Sequence, residues 1–367
     1  MTPRELALEI WTAGVAAVGG YAATRVALEQ VTPPDHILAV GKAAPDMARA
    51  ALERFPGTPT LVVTKDGHAN APLLGAEVIE SAHPIPDERS LTAGAALQAR
   101  VTALPADARL LFLVSGGASS LAEHLTPGHD LNDLRRLNDA LLSEGLDITQ
   151  MNACRRRLSR IKGGNLLRAF NGGAVDVLAI SDVPGDDLGV IGSGIGLIPD
   201  NVPWPGQASI IANNTTARTA AAERAGELGL TVINTAESLH APLPELVQTL
   251  APQIHAMPKG VMILGGEPTV HLPANPGRGG RNQALGLALA QAIQNRDDIT
   301  LIVGGTDGTD GPTQDAGAII DGNTWSDAST QFLAAADSGT DLAQKNALLT
   351  VGPTGTNVMD LAVVLRL

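Results

Sequence analysis

The stretch that decides the fold runs from His36 to Phe55, HILAVGKAAPDMARAALERF. HILAV (36–40) is a short apolar run stopped by Gly41, and AAPDMARAALERF (43–55) spaces its apolar residues for a helix. This is a strand, a tight turn and a helix. Working outward, the scheme recurs. TLVVT (60–64), GAEVIE (75–80), RLLFLV (109–114) and AVDVLAI (174–180) read as strands. Pro86 to Ala103, Leu131 to Leu142, Thr149 to Leu158 and Gly164 to Phe170 read as helical, and residues 4–28 as one Ala-rich helix. Strands alternating with helices at this spacing predict an α/β protein built on a Rossmann-like parallel sheet with helices on both faces. IPDNVPWPGQ (198–207), with three prolines and an exposed-looking Trp204, is the strongest linker signal. Beyond it SIIAN, LTVIN, VMILGG and ITLIVGG alternate with Ala-rich helices. The expectation is a larger Rossmann-like domain over 1–203 and a smaller α/β domain over 204–367. The sequence leaves this boundary soft and lets the N-terminal helix join either half.

Composition excludes several classes. The chain has 367 residues, 44% of them hydrophobic, enough for a large core. No apolar run reaches the ~20 residues of a membrane helix, and MTPRELALEIW carries Glu5 and Glu9 where a leader would be basic. A cytoplasmic protein without membrane contact is expected. A net charge of −13, with no Lys/Arg stripe, argues against nucleic acid. Eight aromatic residues cannot build a base-stacking platform. The single cysteine, Cys154, permits no internal disulfide and reads as a small hydrophobe in a helix. The 40 glycines exceed the ~26 expected at ordinary usage. Of these, 21 fall in seven loops at or near strand ends, where open parallel sheets bind ligands.

Those loops carry the candidate chemistry. Lys42, directly after the first strand, reads as a phosphate-facing lysine or as a surface lysine at a turn. In LVSGGASSL (113–121), Ser115, Gly116, Gly117, Ser119 and Ser120 offer backbone N–H groups and hydroxyls for an anion-binding nest. RRRLSRIKGGNLL (155–167) places Lys162 and Asn165 within reach of a ligand, though much of its charge suits a solvated helix face. In SDVPGDDL (181–188), Asp182, Asp186 and Asp187 cluster after a strand. They suit Mg²⁺, commonly held by one or two carboxylates plus substrate phosphates, while turn formation explains one or two of them. Arg278 and Arg281 flank a glycine pair opening a helix, an arrangement suited to carboxylate or phosphate recognition. Asp307, Asp310 and Asp315 share the loop GGTDGTDGPTQDAGA (304–318). Acidic glycine-rich loops from both halves suggest an active site in a cleft between two domains. His83, in SAHPIPDERS, reads as turn-stabilising in preference to a general base. GxxxxGK[ST], GxGxxG after a strand, HExxH and GxSxG are all absent.

Nine blocks are then recognisable together: GKAAPDMA, AHPIPDERS, LVSGGASSL, RRRLSRIKGGNL, SDVPGDDL, GGEPTV, GRGGRNQALGLALA, GGTDGTDGPTQDAGA and GPTGTNVMDL, in this order from residue 41 to 361. The chain closely resembles the class II glycerate 2-kinases, the MOFRL family, whose members often carry an older hydroxypyruvate reductase label. The resemblance implies two α/β domains and transfer of phosphate from ATP, with Mg²⁺, to the 2-hydroxyl of D-glycerate, giving 2-phosphoglycerate and ADP. It matches Lys42 to the family's active-site lysine, Arg281 to its arginine, and Asp182, Asp186 and Asp187 to its aspartates. In this reading the Ser115–Ser120 nest holds ATP phosphates, Arg281 binds the glycerate carboxylate or phosphoryl oxygens, and Asp182 or Asp307 orients the attacking hydroxyl. One departure stands out: GSGIGLIPD (192–200) has Ile195-Gly196 where the family usually has Pro-Thr. A homo-oligomer is compatible with the sequence. The competing expectations are an NAD(P)-dependent hydroxypyruvate reductase and a non-catalytic sugar-phosphate-binding protein.

Overall fold

The computed structural model describes residues 1–69, 72–143 and 156–367. Over these the chain divides into two compact units, each discontinuous in sequence. One holds residues 19–213 and 355–357, the other 1–18, 214–354 and 358–367. The single cut expected at 203/204 is thus drawn differently, for two reasons. The stretch 198–207 is not a free linker. Trp204 is 5% exposed, its Nε1 donates to the Phe170 carbonyl at 3.0 Å, and its ring meets Phe170 edge-on at 5.3 Å. The N-terminal helix belongs with the second unit, where Trp11 Nε1 donates to the Leu361 carbonyl at 3.0 Å.

The predicted helix over 4–28 is two helices, Pro3–Ala17 and Gly20–Ala27, separated at Val18 and Gly19. The first opens with a capping box between Thr2 and Glu5. Glu5 is the N3 member of that box, its side chain accepting from the Thr2 N–H. The predicted helix from Leu131 is present as Leu131–Ser143, whereas Cys154 and most of the predicted helix 149–158 lie outside the described residues.

In the first unit β1 (His36–Val40), β2 (Thr60–Lys65), β3 (Ala76–Ser81), β4 (Arg109–Val114), β5 (Ala174–Ile180) and β6 (Gly206–Ala212) form one sheet in the order β3-β2-β1-β4-β5-β6. Every pairing is parallel. β6 contains the SIIA segment expected in the second domain; it pairs with β5 as the sheet's edge. Continuous apolar runs suit strands covered on both faces. Leu38, Val40, Leu61, Val63, Leu110, Phe112 and Val114 pack with Ala93, Leu97 and Val101 of the helix Glu88–Thr102. The alternate residues Ile37, Ala39, Val62, Leu111 and Leu113 are buried as well, and the helix Ala44–Arg54 lies against β1 and β2. The strand order reverses between β1 and β4, which opens a crevice at the carboxyl ends of those two strands.

The second unit carries a mixed sheet of β7 (Val232–Glu237), β8 (Gly260–Gly266), β9 (Ile299–Gly305), β10 (Gly317–Asp321), β11 (Leu348–Leu349) and β12 (Asp360–Arg366), in the order β11-β10-β9-β12-β8-β7. Only β7 and β8 pair in parallel. Its two faces separate by alternation. Met262, Leu264, Leu301, Val303 and Val364 pack with the helices Leu243–Ala256 and Arg281–Ala292. Ile263, Ile302, Leu361 and Val363 pack with Pro3–Ala17 and Asn214–Glu227. β12 runs antiparallel between β8 and β9, so Asp360, its first residue, lies opposite Gly266 and Gly305. That register places a carboxylate at the carboxyl edge of β8 and β9. Among the described residues no single helix is long and apolar enough to cross a membrane.

Candidate active site

In the first unit the ends of β1, β4 and β5 lie side by side at the crevice. The turns after β1 and β4 are sewn together by backbone. Ser115 N–H donates to the Val40 carbonyl at 2.9 Å, and Lys42 N–H donates to the Gly116 carbonyl at 2.9 Å. The Ser115 hydroxyl accepts from Ala43 N–H at 3.1 Å. Ser115 is fully buried and serves the turn from beneath, instead of lining the nest as the sequence suggests. Gly116 is required sterically. A methyl there would lie 2.0 Å from Asn357 Nδ2 and 2.1 Å from Asp182 Oδ2, closer than real Cβ contacts allow. Gly117 takes the left-handed conformation at φ 87°, which favours glycine. The N–H groups of Gly116, Gly117, Ala118 and Ser119 donate to no acceptor among the described residues. Four successive N–H groups around a left-handed glycine form the concavity that binds anions.

Two residues assigned to ligand from sequence brace this loop instead. Lys162 is 2% exposed, with Nζ 2.9 Å from Glu123 Oε2 and donating to the Ser119 carbonyl at 2.5 Å. An ammonium cannot remain buried without such a partner; here the partner is an equally buried carboxylate, and the pair supports the nest from behind. Asn165 Nδ2 donates to the Ser159 carbonyl at 2.9 Å, closing the turn that starts its helix. Of the remaining hydroxyls, Ser119 Oγ lies 2.7 Å from Ser193 Oγ, and Ser120, half-buried, donates its N–H to the Gly117 carbonyl.

The aspartates separate too. Asp182 is at the end of β5, and its Oδ2 accepts from Asn357 Nδ2 at 3.0 Å. Asp186 has φ 56° and accepts from Asn213 Nδ2 at 2.6 Å. Asp187 is exposed and caps the following turn by accepting from Gly189 N–H at 2.7 Å. Among the described residues no three His, Cys, Asp or Glu side chains converge to hold a metal, which corrects the expected aspartate trio. A nucleotide-borne Mg²⁺ asks less, one carboxylate with phosphates being sufficient. Asp182, at the strand end beside Gly116, fits that need; Asp186 and Asp187 are turn residues.

The structure also brings in two histidines: His83, which the sequence reads as turn-stabilising, and His68, which the sequence does not single out. The carbonyl of Lys42 lies 3.3 Å from His68 Nδ1. A methyl on Gly117 would lie 3.2 Å from Lys42 Cγ, 3.3 Å from His83 Cδ2 and 3.4 Å from His83 Nε2. The available signal was position: His68 follows β2 and His83 follows β3, both at carboxyl ends of strands.

In the second unit Arg281 begins its helix and is enclosed by carboxylates. Nε and Nη2 donate to the two oxygens of Asp360 at 2.6 and 3.0 Å, and Nη1 lies 2.8 Å from Glu267 Oε1. Burial works against the guanidinium charge, but Asp360 and then Glu267 outweigh it and raise its pKa. The helix N–H groups are taken as well: Asp310 accepts from Asn282 and Gln283 N–H at 3.1 and 2.8 Å. Burial, with Asp360 nearby, pushes the Asp310 carboxyl up to about 7, against the pull of those N–H groups and of Arg281. The open anion clamp expected of Arg281 and its helix is therefore a filled ion-pair cluster. Arg278 is likewise tied, by Nη2 to Asp315 Oδ2 at 2.6 Å, with half its side chain exposed. Asp307 is buried after β9, its Oδ1 accepting from the Thr309 N–H and hydroxyl at 2.8 and 2.9 Å.

A doubly wound parallel sheet with a glycine-rich turn and a lysine at its switch point defines the α/β class of this protein. Comparison with known proteins gives the family. Residues 6–227 match a family described as a domain of unknown function, DUF4147, and residues 260–360 match the MOFRL family. The chain is 33% identical to a D-glycerate 2-kinase of Thermotoga maritima, covering 98% of this chain and 97% of that protein. It is 34% identical to an Agrobacterium vitis protein with a provisional hydroxypyruvate reductase label, covering 90% and 86%. A crystal structure of a Thermotoga maritima glycerate kinase superimposes with a TM-score of 0.87 at 33% identity, over 99% of each chain. The chain belongs to the class II glycerate 2-kinase family.

Proposed function

We propose that this chain transfers the γ-phosphoryl group of ATP to the 2-hydroxyl of D-glycerate, giving 2-phosphoglycerate and ADP. The observation that carries the reading is the run of N–H groups from Gly116 to Ser119, without acceptors among the described residues, beside Lys42 at the switch point. The name of the Thermotoga maritima relative supports it. Phosphoryl transfer asks for positioning and charge stabilisation more than for covalent chemistry. The nest holds phosphate oxygens through preorganised dipoles, and Lys42 neutralises charge on the group in transit. Asp182 would hold the Mg²⁺ that accompanies ATP, and the ion would neutralise charge on the phosphates.

Arg281 binds the glycerate carboxylate. Asp360 is fully buried and keeps its two hydrogen bonds, whereas Glu267 is 43% exposed. An exposed pair is worth little, ~0–1 kcal/mol, so an incoming carboxylate replaces Glu267 on Nη1 while the Asp360 fork keeps the guanidinium in place. Arg278 adds positive charge at the rim, and Asp307 accepts a hydrogen bond from a substrate hydroxyl. ATP and a free hydroxy acid as substrates place the enzyme in the cytoplasm. The test is a coupled assay: ADP release that requires D-glycerate, ATP and Mg²⁺ together is expected. NAD(P)H consumption with hydroxypyruvate, in the absence of such ADP release, contradicts the reading.

A further inference from the structure

A hydroxyl that attacks phosphorus must lose its proton, and Asp182 and Asp307 are the two carboxylates the sequence offers near it. Asp182 accepts from Asn357 Nδ2, and Asp307 accepts from the Thr309 N–H and hydroxyl. A third group reaches the nest. His83 follows β3, and its imidazole and the Lys42 side chain both lie close to the place a Gly117 side chain would take. The left-handed glycine is what admits both: a methyl on Gly117 would meet Lys42 Cγ and His83 Nε2 at 3.2 and 3.4 Å. Lysine and imidazole thus converge on the turn whose N–H groups have no acceptor among the described residues.

We propose that His83 is the catalytic base that takes the proton of the substrate hydroxyl, an assignment that rests on the kinase reading above. In the step, the hydroxyl oxygen forms a bond to the γ-phosphorus. The bond from that phosphorus to the β,γ-bridging oxygen breaks, and its electron pair leaves on ADP. The hydroxyl proton passes to His83 Nε2 and from there to solvent. Imidazole suits the task because histidine's ordinary titration range lies nearest neutrality, and general-base catalysis is worth ~10²–10⁴-fold in rate.

The experiment compares wild type, His83→Ala and His83→Gln with saturating ATP, Mg²⁺ and D-glycerate, with Tm measured for each. Both variants are expected to lose about a hundredfold or more in kcat, with both KM values within a few-fold of wild type and Tm unchanged. Added imidazole is expected to restore kcat in His83→Ala, saturably, and to do nothing for Lys42→Ala. A folded His83→Ala or His83→Gln with near-wild-type kcat overturns the assignment. So does a loss expressed in KM that imidazole leaves untouched, which marks a residue that only shapes the loop. If His83→Ala does not fold, the kcat and KM of His83→Gln decide between the same outcomes. Wild-type protein that releases no ADP overturns the kinase reading and this assignment together; wild-type turnover with an equally active His83 variant overturns this assignment alone.

Discussion

The Lys42 turn and the Arg281 cluster each place one cation at the carboxyl edge of a sheet, and they differ in what surrounds it. The Lys42 backbone is pinned, its N–H donating to the Gly116 carbonyl and its carbonyl meeting His68. The Arg281 side chain is forked onto Asp360 and touches Glu267. Asp360 is fully buried, so the arginine is also its counter-charge, and function and stability are fused in this second region.

The largest effect follows from breaking the fused region. Arg281→Ala should lower kcat/KM about a hundredfold or more, and should also destabilise the protein by about 3 kcal/mol because it strands the Asp360 charge. Adding Asp360→Asn should recover most of the lost Tm in thermal melts and none of the lost rate. Lys42→Ala sharpens the contrast: a similar loss of kcat/KM, with a smaller loss of Tm than Arg281→Ala, because the backbone bonds of its turn remain. Equal destabilisation by both substitutions would erase the distinction between the regions.

The smallest effect reads the acidity of the Arg281 neighbourhood. Asp310 titrates at about 7 in the folded protein, above its ordinary 3.8. The folded state therefore retains a proton that the unfolded chain has released, so stability from this group is greatest below pH ~4 and falls as pH rises towards about 7. Asp310→Asn should flatten that part of the Tm-against-pH curve. An unchanged slope would place Asp310 outside the charge network.

How far the sequence reveals this depends on whether a signal is local. The first sheet is legible because β1 and β4 carry unbroken apolar runs, ILAV and LLFLV, that stop at Gly41 and Ser115, and the turn after β4 because GGASS leaves it nearly without side chains. β12 is not legible: Asp360 and Leu361 close a glycine-rich loop motif, and the strand's partners are Gly260–Gly266 and Ile299–Gly305, far away in sequence. Lys162 misleads for the same reason. Beside two glycines it resembles a phosphate lysine, but the buried Glu123 that claims it has no sequence signature linking the two. Asp186 and Asp187 mislead by proximity in sequence, since their donors, Asn213 and the Gly189 N–H, draw them into separate turns. Asn282 shows the reverse case. It is 0% exposed with neither amide atom partnered, an arrangement costing ~1–3 kcal/mol per group that nothing in GRGGRN announces.

The central claim is that this chain transfers phosphate from ATP to the 2-hydroxyl of D-glycerate. Phosphorus NMR of a reaction containing wild-type protein, ATP, Mg²⁺ and D-glycerate tests it most directly. The predicted result is 2-phosphoglycerate growing one-for-one with ADP. Phosphate on the 3-hydroxyl, or ADP appearing with inorganic phosphate and no phosphorylated acceptor, would contradict it.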